Sequence, residues 1–186
     1  SNITLKNITI TGGVSYVAGL CGYTTSGDFH DITADNIQIS ATGSYVAGIL
    51  GYVIERSIYL LDTLSISNST ITSKGSYIGG VIGYGRGEEF ESINNNISGV
   101  SYVGGVIGQQ LYNANENQGR YYTAKNVNVT GSGNYIGGVA GYSGYLRYAY
   151  CFDSNIEGTA TSTQYVGGIS GSKNSSLYYS GVKNCT

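Results

Sequence analysis

Six times along the chain the same nine-residue phrase recurs, and no other feature restricts the fold as much. The copies run Ser15–Tyr23, Ser44–Tyr52, Ser76–Tyr84, Ser101–Gln109, Asn134–Tyr142 and Gln164–Ser172. Their leading tyrosines, Tyr16, Tyr45, Tyr77, Tyr102, Tyr135 and Tyr165, stand 29, 32, 25, 33 and 30 residues apart. Self-similarity at such a period is the mark of a stacked architecture, in which one unit cannot bury its apolar face until the next is laid on it. The sequence therefore predicts an all-β fold, a parallel β-helix (β-solenoid) of about six coils with roughly 30 residues per coil. At about 4.8 Å per coil the rod would be roughly 30 Å long.

Each unit has a second half. An asparagine precedes alternating apolar residues in Asn7–Ile10, Asn36–Ile39 and Asn126–Val129, with shorter forms at Asn96–Ile97 and Asn155–Ile156 and with Thr70–Thr72 in the third copy. Alternation among β-branched residues predicts a strand with one buried face. The asparagines at the strand starts are placed to ladder with one another. A Gly/Ser corner follows, then the tyrosine phrase, then a variable segment that absorbs the length differences and most of the charge. Nothing sustains a helical period, and 30 glycines oppose helix throughout.

Inside the phrase two columns are aliphatic: Val17, Val46, Ile78, Val103, Ile136, Val166 and Leu20, Ile49, Val81, Val106, Val139, Ile169. Three residues apart, they would face opposite ways on a straight strand. The small pair between them (Ala18-Gly19, Gly79-Gly80) is expected to bend the chain so that both point inward. The leading tyrosines then face outward as a ladder, with Tyr23, Tyr52, Tyr84 and Tyr142 as a second column that lapses at Gln109 and Ser172.

The short core Gly19-Leu20-Cys21-Gly22, repeated as Gly48-Ile49-Leu50-Gly51, Gly80-Val81-Ile82-Gly83, Gly105-Val106-Ile107-Gly108, Gly138-Val139-Ala140-Gly141 and Gly168-Ile169-Ser170-Gly171, resembles the GLUG repeat. That family occurs in large bacterial surface and secreted proteins, among them haemagglutinin-like adhesins and immunoglobulin A metallopeptidases. The resemblance implies an extracellular or bacterial cell-surface location and a stalk or adhesive, ligand-displaying surface without catalysis in this segment. Partners implied are a host glycan or surface protein and flanking domains of the same chain. The alternatives are a carbohydrate-active β-helix, binding or cleaving polysaccharide, and the non-catalytic β-helix of a larger secreted peptidase. Residues 1–186 read as a single β-helical domain taken from a longer chain.

Composition narrows the chemistry. Charged residues are 11% of the chain, against roughly 25% in ordinary soluble domains. A net charge of −2 with scattered cations gives no basic stripe for nucleic acid, and no apolar run is long enough for a membrane helix. One histidine, His30, cannot build a zinc-peptidase cluster. Hence no catalytic residue, no metal site and no cofactor is expected. Paired-carboxylate chemistry would have to draw on Asp28, Asp31 and Asp35 or on Glu88, Glu89 and Glu91 beside Arg86, all read as loop residues. An ice-binding face needs a regular threonine ladder, and the outward series Thr9, Gln38, Ser98, Asn128, Glu157 is too mixed. Cys151 and Cys185 are about one repeat apart, so a disulfide between adjacent coils is conceivable. The ligand-binding candidates are two aromatic clusters that carry cations: Tyr145, Arg147, Tyr148 and Tyr150, and Arg120, Tyr121 and Tyr122. Tyrosine pairs an apolar body with a polar tip suited to sugars or protein partners.

Overall fold

Each turn of the chain is drawn as four short strands whose residues fall directly over those of the next turn. The computed structural model describes residues 2–54, 61–111, 120–162, 164–174 and 176–186. Every strand pairing in it is parallel, and no helix occurs among the described residues. The chain is a β-solenoid: the tyrosine phrases supply six rungs to each of two sheets, and the whole makes about five turns.

A turn begins with a lead strand, seen in Leu61–Ser67, Phe90–Ile93, Arg120–Lys125 and Leu146–Phe152. An asparagine strand follows (Thr70–Ser73, Asn96–Gly99, Asn128–Gly131, Asn155–Gly158), and in the second turn both are one continuous strand, Phe29–Ala41. Next come a two-residue short strand, such as Ile78–Gly79, and an exit strand, such as Ile82–Gly85.

Three kinds of corner turn the chain, and two of them use residues in the left-handed region. Asn7, Asn36, Asn68, Asn94, Asn126, Asp153 and Asn184 all have φ between 50° and 56°, a conformation that asparagine tolerates better than most residues. Their side chains ladder from turn to turn: Asn36 donates to Asn7 at 2.8 Å, Asn94 to Asn68 at 3.2 Å and Asn126 to Asn94 at 3.1 Å. The leading tyrosines form the second corner, with φ of 54–65° from Tyr16 to Tyr135. The third is the bend between short and exit strands. There one carbonyl of the next turn accepts two N–H groups, as Val106 does from Val81 and Ile82, so the ladder survives the bend. A Cβ on Gly105 would stand 2.1 Å from the carbonyl oxygen of Gly138, which is why the column is glycine.

Both aliphatic columns of the phrase face the core, as the bend requires: Val46, Ile78, Val103, Ile136 and Ile49, Val81, Val106, Val139 are all buried. The asparagine strand adds Ile39, Ile71, Ile97 and Val129, and the lead strand adds Leu64, Phe90, Tyr122 and Ala149.

The register corrects the sequence alignment in one place. Thr70 pairs with Gln38 and with Asn96, and Asn128 with Asn155, so the corner residues there are Asn68, Asn94 and Asp153, two residues before Thr70, Asn96 and Asn155, the positions picked from sequence. The outward series accordingly separates into Thr9–Gln38–Thr70–Asn96–Asn128–Asn155 and Thr11–Ser40–Thr72–Ser98–Thr130–Glu157. An Asn-Asn-Asn run and an Asp-Ser-Asn run hide a two-residue slip that hydrophobic alternation alone does not detect.

Just inside the asparagine corner lies a buried polar column. Ser69 Oγ accepts the Ile37 N–H at 2.9 Å and donates to the Ser67 carbonyl at 2.6 Å. Ser154 repeats this with the Val127 N–H (3.1 Å) and the Phe152 carbonyl (2.6 Å). Between them Asn95 accepts the Ser69 N–H at 2.7 Å and donates to the Ile66 carbonyl at 3.1 Å and to Ser92 Oγ at 2.8 Å.

Candidate functional site

The leading tyrosines stack outward, with ring centroids 5.1, 4.7, 4.6, 4.8 and 5.4 Å apart from Tyr16 to Tyr165. Tyr23, Tyr52 and Tyr84 form the parallel stack, set edge-on to the first, as at Tyr45–Tyr52 (4.8 Å, 83°). Partial burial, then the neighbouring phenols, raise the pKa of Tyr45, Tyr52, Tyr77, Tyr84 and Tyr102 above the ordinary phenol value. Stacked rings cover one another's faces. Along its length this double ladder shows a ligand only ring edges, and its chemistry is that of cross-strand stabilisation.

The lead strand carries a different arrangement. A left-handed residue lies at or near its start in six turns: Asp31, Thr63, Glu89, Tyr121, Tyr148 and Tyr179, with φ of 47–58°. That extra residue breaks the alternation like a bulge. Leu146 is therefore buried, Arg147 and Tyr148 both lie toward the outside, and Ala149 is buried again. Tyr121, Tyr148 and Tyr179 stack at 4.9 and 5.2 Å, and the Arg147 guanidinium lies 5.1 Å and 5.4 Å from the centroids of Tyr148 and Tyr179. Cation–π contacts of this kind hold the arginine against the ladder.

The same bulge corrects one sequence candidate. Tyr122 is fully buried, stacked on Phe90 at 4.9 Å, and donates to the Gly87 carbonyl at 2.8 Å. Burial pushes its phenol far above the ordinary range. It is a core residue with a satisfied hydroxyl and is not available to a ligand.

The other candidates fall on one side of the solenoid. Tyr150 follows Thr123 in the column next to the ladder, with its ring 5.8 Å from Phe152. Tyr145 is half-buried; its N–H donates to Gln110 Oε1 at 2.8 Å, and its ring lies 5.9 Å from Tyr178. The Arg120 backbone pairs with Arg147, and its side chain lies outside the described part of the structure.

Beside the ladder runs a groove of about 470 Å3 lined by Thr63, Leu64, Ser65, Glu89, Phe90, Glu91, Tyr121 and Thr123. Sequence alone predicts solvated loop charges at Glu89 and Glu91. The structure puts Glu91 in a strand and both next to Tyr121, since Glu91 pairs with Thr123. Tyr179 was also missed, although its spacing of 31 from Tyr148 was a signal that it shares that column. His30 likewise sits in a strand, with Nδ1 2.9 Å from Asp31 Oδ2. Among the described residues no group of three or more His, Cys, Asp or Glu side chains is placed to hold a metal. None contains a helix long and apolar enough to cross a membrane.

The fold defines the chain as a β-solenoid. Searches of known protein families, curated proteins and solved structures found no match.

Proposed function

We propose that this β-solenoid is an extracellular stalk that displays an adhesive strip, in the manner of the GLUG-repeat surface proteins its phrases resemble, and that it performs no catalytic step itself. The observation that carries this is the Tyr121–Tyr148–Tyr179 ladder with Arg147 laid along it. Tyr121 and Tyr179 are 50% and 66% exposed, and with Arg147 beside them they make up the aromatic and cationic anchors that recognition surfaces favour. A rigid sheet holds these groups at fixed spacing, so little ordering is required on binding. The partner expected is a host glycan or a surface protein. The same reading accommodates the non-catalytic β-helix of a larger secreted peptidase.

A glycan array and a cell-surface binding assay test the proposal, with Tyr148→Asn and Arg147→Ala as controls. Binding that drops in both variants supports it, and an absence of binding to any surface component overturns it. The groove favours a second reading, a carbohydrate-cleaving β-helix, because Glu89 and Glu91 flank an aromatic platform. Release of reducing sugar that disappears in Glu89→Gln would establish that reading instead.

A further inference from the structure

The groove above Tyr121 has the makings of a binding site that the exposed strip alone does not imply. One face of the Tyr121 ring is covered by Tyr148, stacked at 4.9 Å and 5°. On its other side the next residue of the column is Glu89, so that face of the ring borders the groove. Glu89 and Glu91 are exposed, and among the described residues neither side-chain carboxylate has a hydrogen bond or an ion pair. Among the described residues no cation lines the groove; its remaining polar lining is the hydroxyls of Thr63, Ser65 and Thr123.

Each part selects for something. The ring face takes an apolar C–H surface or a cation. The two carboxylates repel anions and attract an amine. Three hydroxyls both donate and accept, which suits a polyhydroxylated ligand; a plain alkylammonium, having no acceptor, would leave their O–H donors unused. Resting on the display reading above, we infer that this groove binds an amino-sugar unit of a polysaccharide. The pyranose C–H face lies on Tyr121, the ammonium meets Glu89 and Glu91, and the ring hydroxyls meet Thr63, Ser65 and Thr123.

Calorimetric titration of the chain with a glucosamine tetramer, its N-acetylated counterpart and a galacturonate tetramer, below the amine's pKa, tests this. The glucosamine tetramer is expected to bind, more weakly as salt rises, with the N-acetylated tetramer about tenfold weaker and the galacturonate not binding. Because Tyr121 has φ of 58°, Tyr121→Asn removes the ring while keeping a residue suited to that backbone. It should weaken binding about tenfold, whereas Tyr121→Phe stays within about twofold. The double variant Glu89→Gln/Glu91→Gln should erase the preference for the amine. Equal binding of the acetylated tetramer, binding of the galacturonate, preferential binding of a lysine-rich peptide, or affinity indifferent to Tyr121→Asn would each overturn the inference. Glycan binding that is lost in Arg147→Ala but unchanged in the groove variants removes the groove alone. If no glycan or surface component binds, the display reading falls with it.

Discussion

Asn95 offers the sharpest test of how the turns are held in register. Its side chain is 1% exposed and serves three groups: the Ser69 N–H, the Ile66 carbonyl and the Ser92 hydroxyl. Ser69 and Ser92 are themselves buried, so water does not replace what is lost. Asn95→Leu keeps the volume and removes all three partners. A buried polar group left without a partner costs about 1–3 kcal/mol. Ser92 Oγ loses only the donor it accepts from and keeps its own O–H to donate, so its loss is the smallest of the three and the net destabilisation is about 3–5 kcal/mol. The molecule also supplies its own rescue. Ser69 and Ser154 occupy the same column and satisfy a neighbouring N–H through a hydroxyl, so Asn95→Ser can reproduce that bond. Its cost should be about 1–2 kcal/mol, mostly for the volume removed. Urea titration followed by circular dichroism, with midpoints compared at constant slope, separates the two variants. If Asn95→Leu costs no more than Asn95→Ser, the buried column does not anchor the turns and the reasoning fails.

Gly105→Ala would bring a Cβ to 2.1 Å from a backbone oxygen of the adjoining turn, so a loss of about 1–3 kcal/mol or more is expected in the same titration. Raising the pH tests the tyrosine ladder. Its phenols have folded-state pKa values raised mainly by burial, so stability should be level up to about pH 10, where unfolded tyrosine begins to ionise. Above that the unfolded chain binds fewer protons than the folded one and stability falls. Phenolate absorbance rising together with loss of sheet signal would show it, and phenolate formation at unchanged fold near pH 10 would contradict it. Cys151 and Cys185 are free thiols with Sγ atoms 3.4 Å apart on adjoining turns. Treatment with oxidised glutathione should couple them, with loss of two thiol hydrogens and a gain of about 2–4 kcal/mol. Mass spectrometry after proteolysis would locate the bond, and a Cys21 adduct as the sole product would refute the prediction.

Much of this architecture was legible because its signals are local and repeated. Six tyrosine phrases pointed to six coils, close to the roughly five turns observed, and the paired aliphatic columns separated by small residues gave the bend. The asparagine register was misread because Asn94-Asn95-Asn96 offers three equivalent choices. Only the left-handed backbone at Asn94 distinguishes them. Tyr122 was misassigned for a related reason. Two adjacent tyrosines in a strand point opposite ways, and which one faces the core depends on the bulge at Tyr121, for which tyrosine itself gives no warning. The groove was invisible in sequence because Ser65, Glu91 and Thr123 become neighbours only through the register of three turns.

The asparagine side-chain bonds between turns join residues 26, 29 or 32 positions apart and are alike in kind. Vertical alignment is thus indifferent to contour length, and most of the difference is taken up between one exit strand and the next lead strand. Lengthening such a connection costs little, about 0.6 kcal/mol per doubling. The left-handed position of the lead strand shows what this permits, since an aspartate, a threonine, a glutamate and three tyrosines occupy it in succession on the same backbone geometry. Surface chemistry here can be rewritten one turn at a time, like text on ruled lines, without renegotiating the core beneath it.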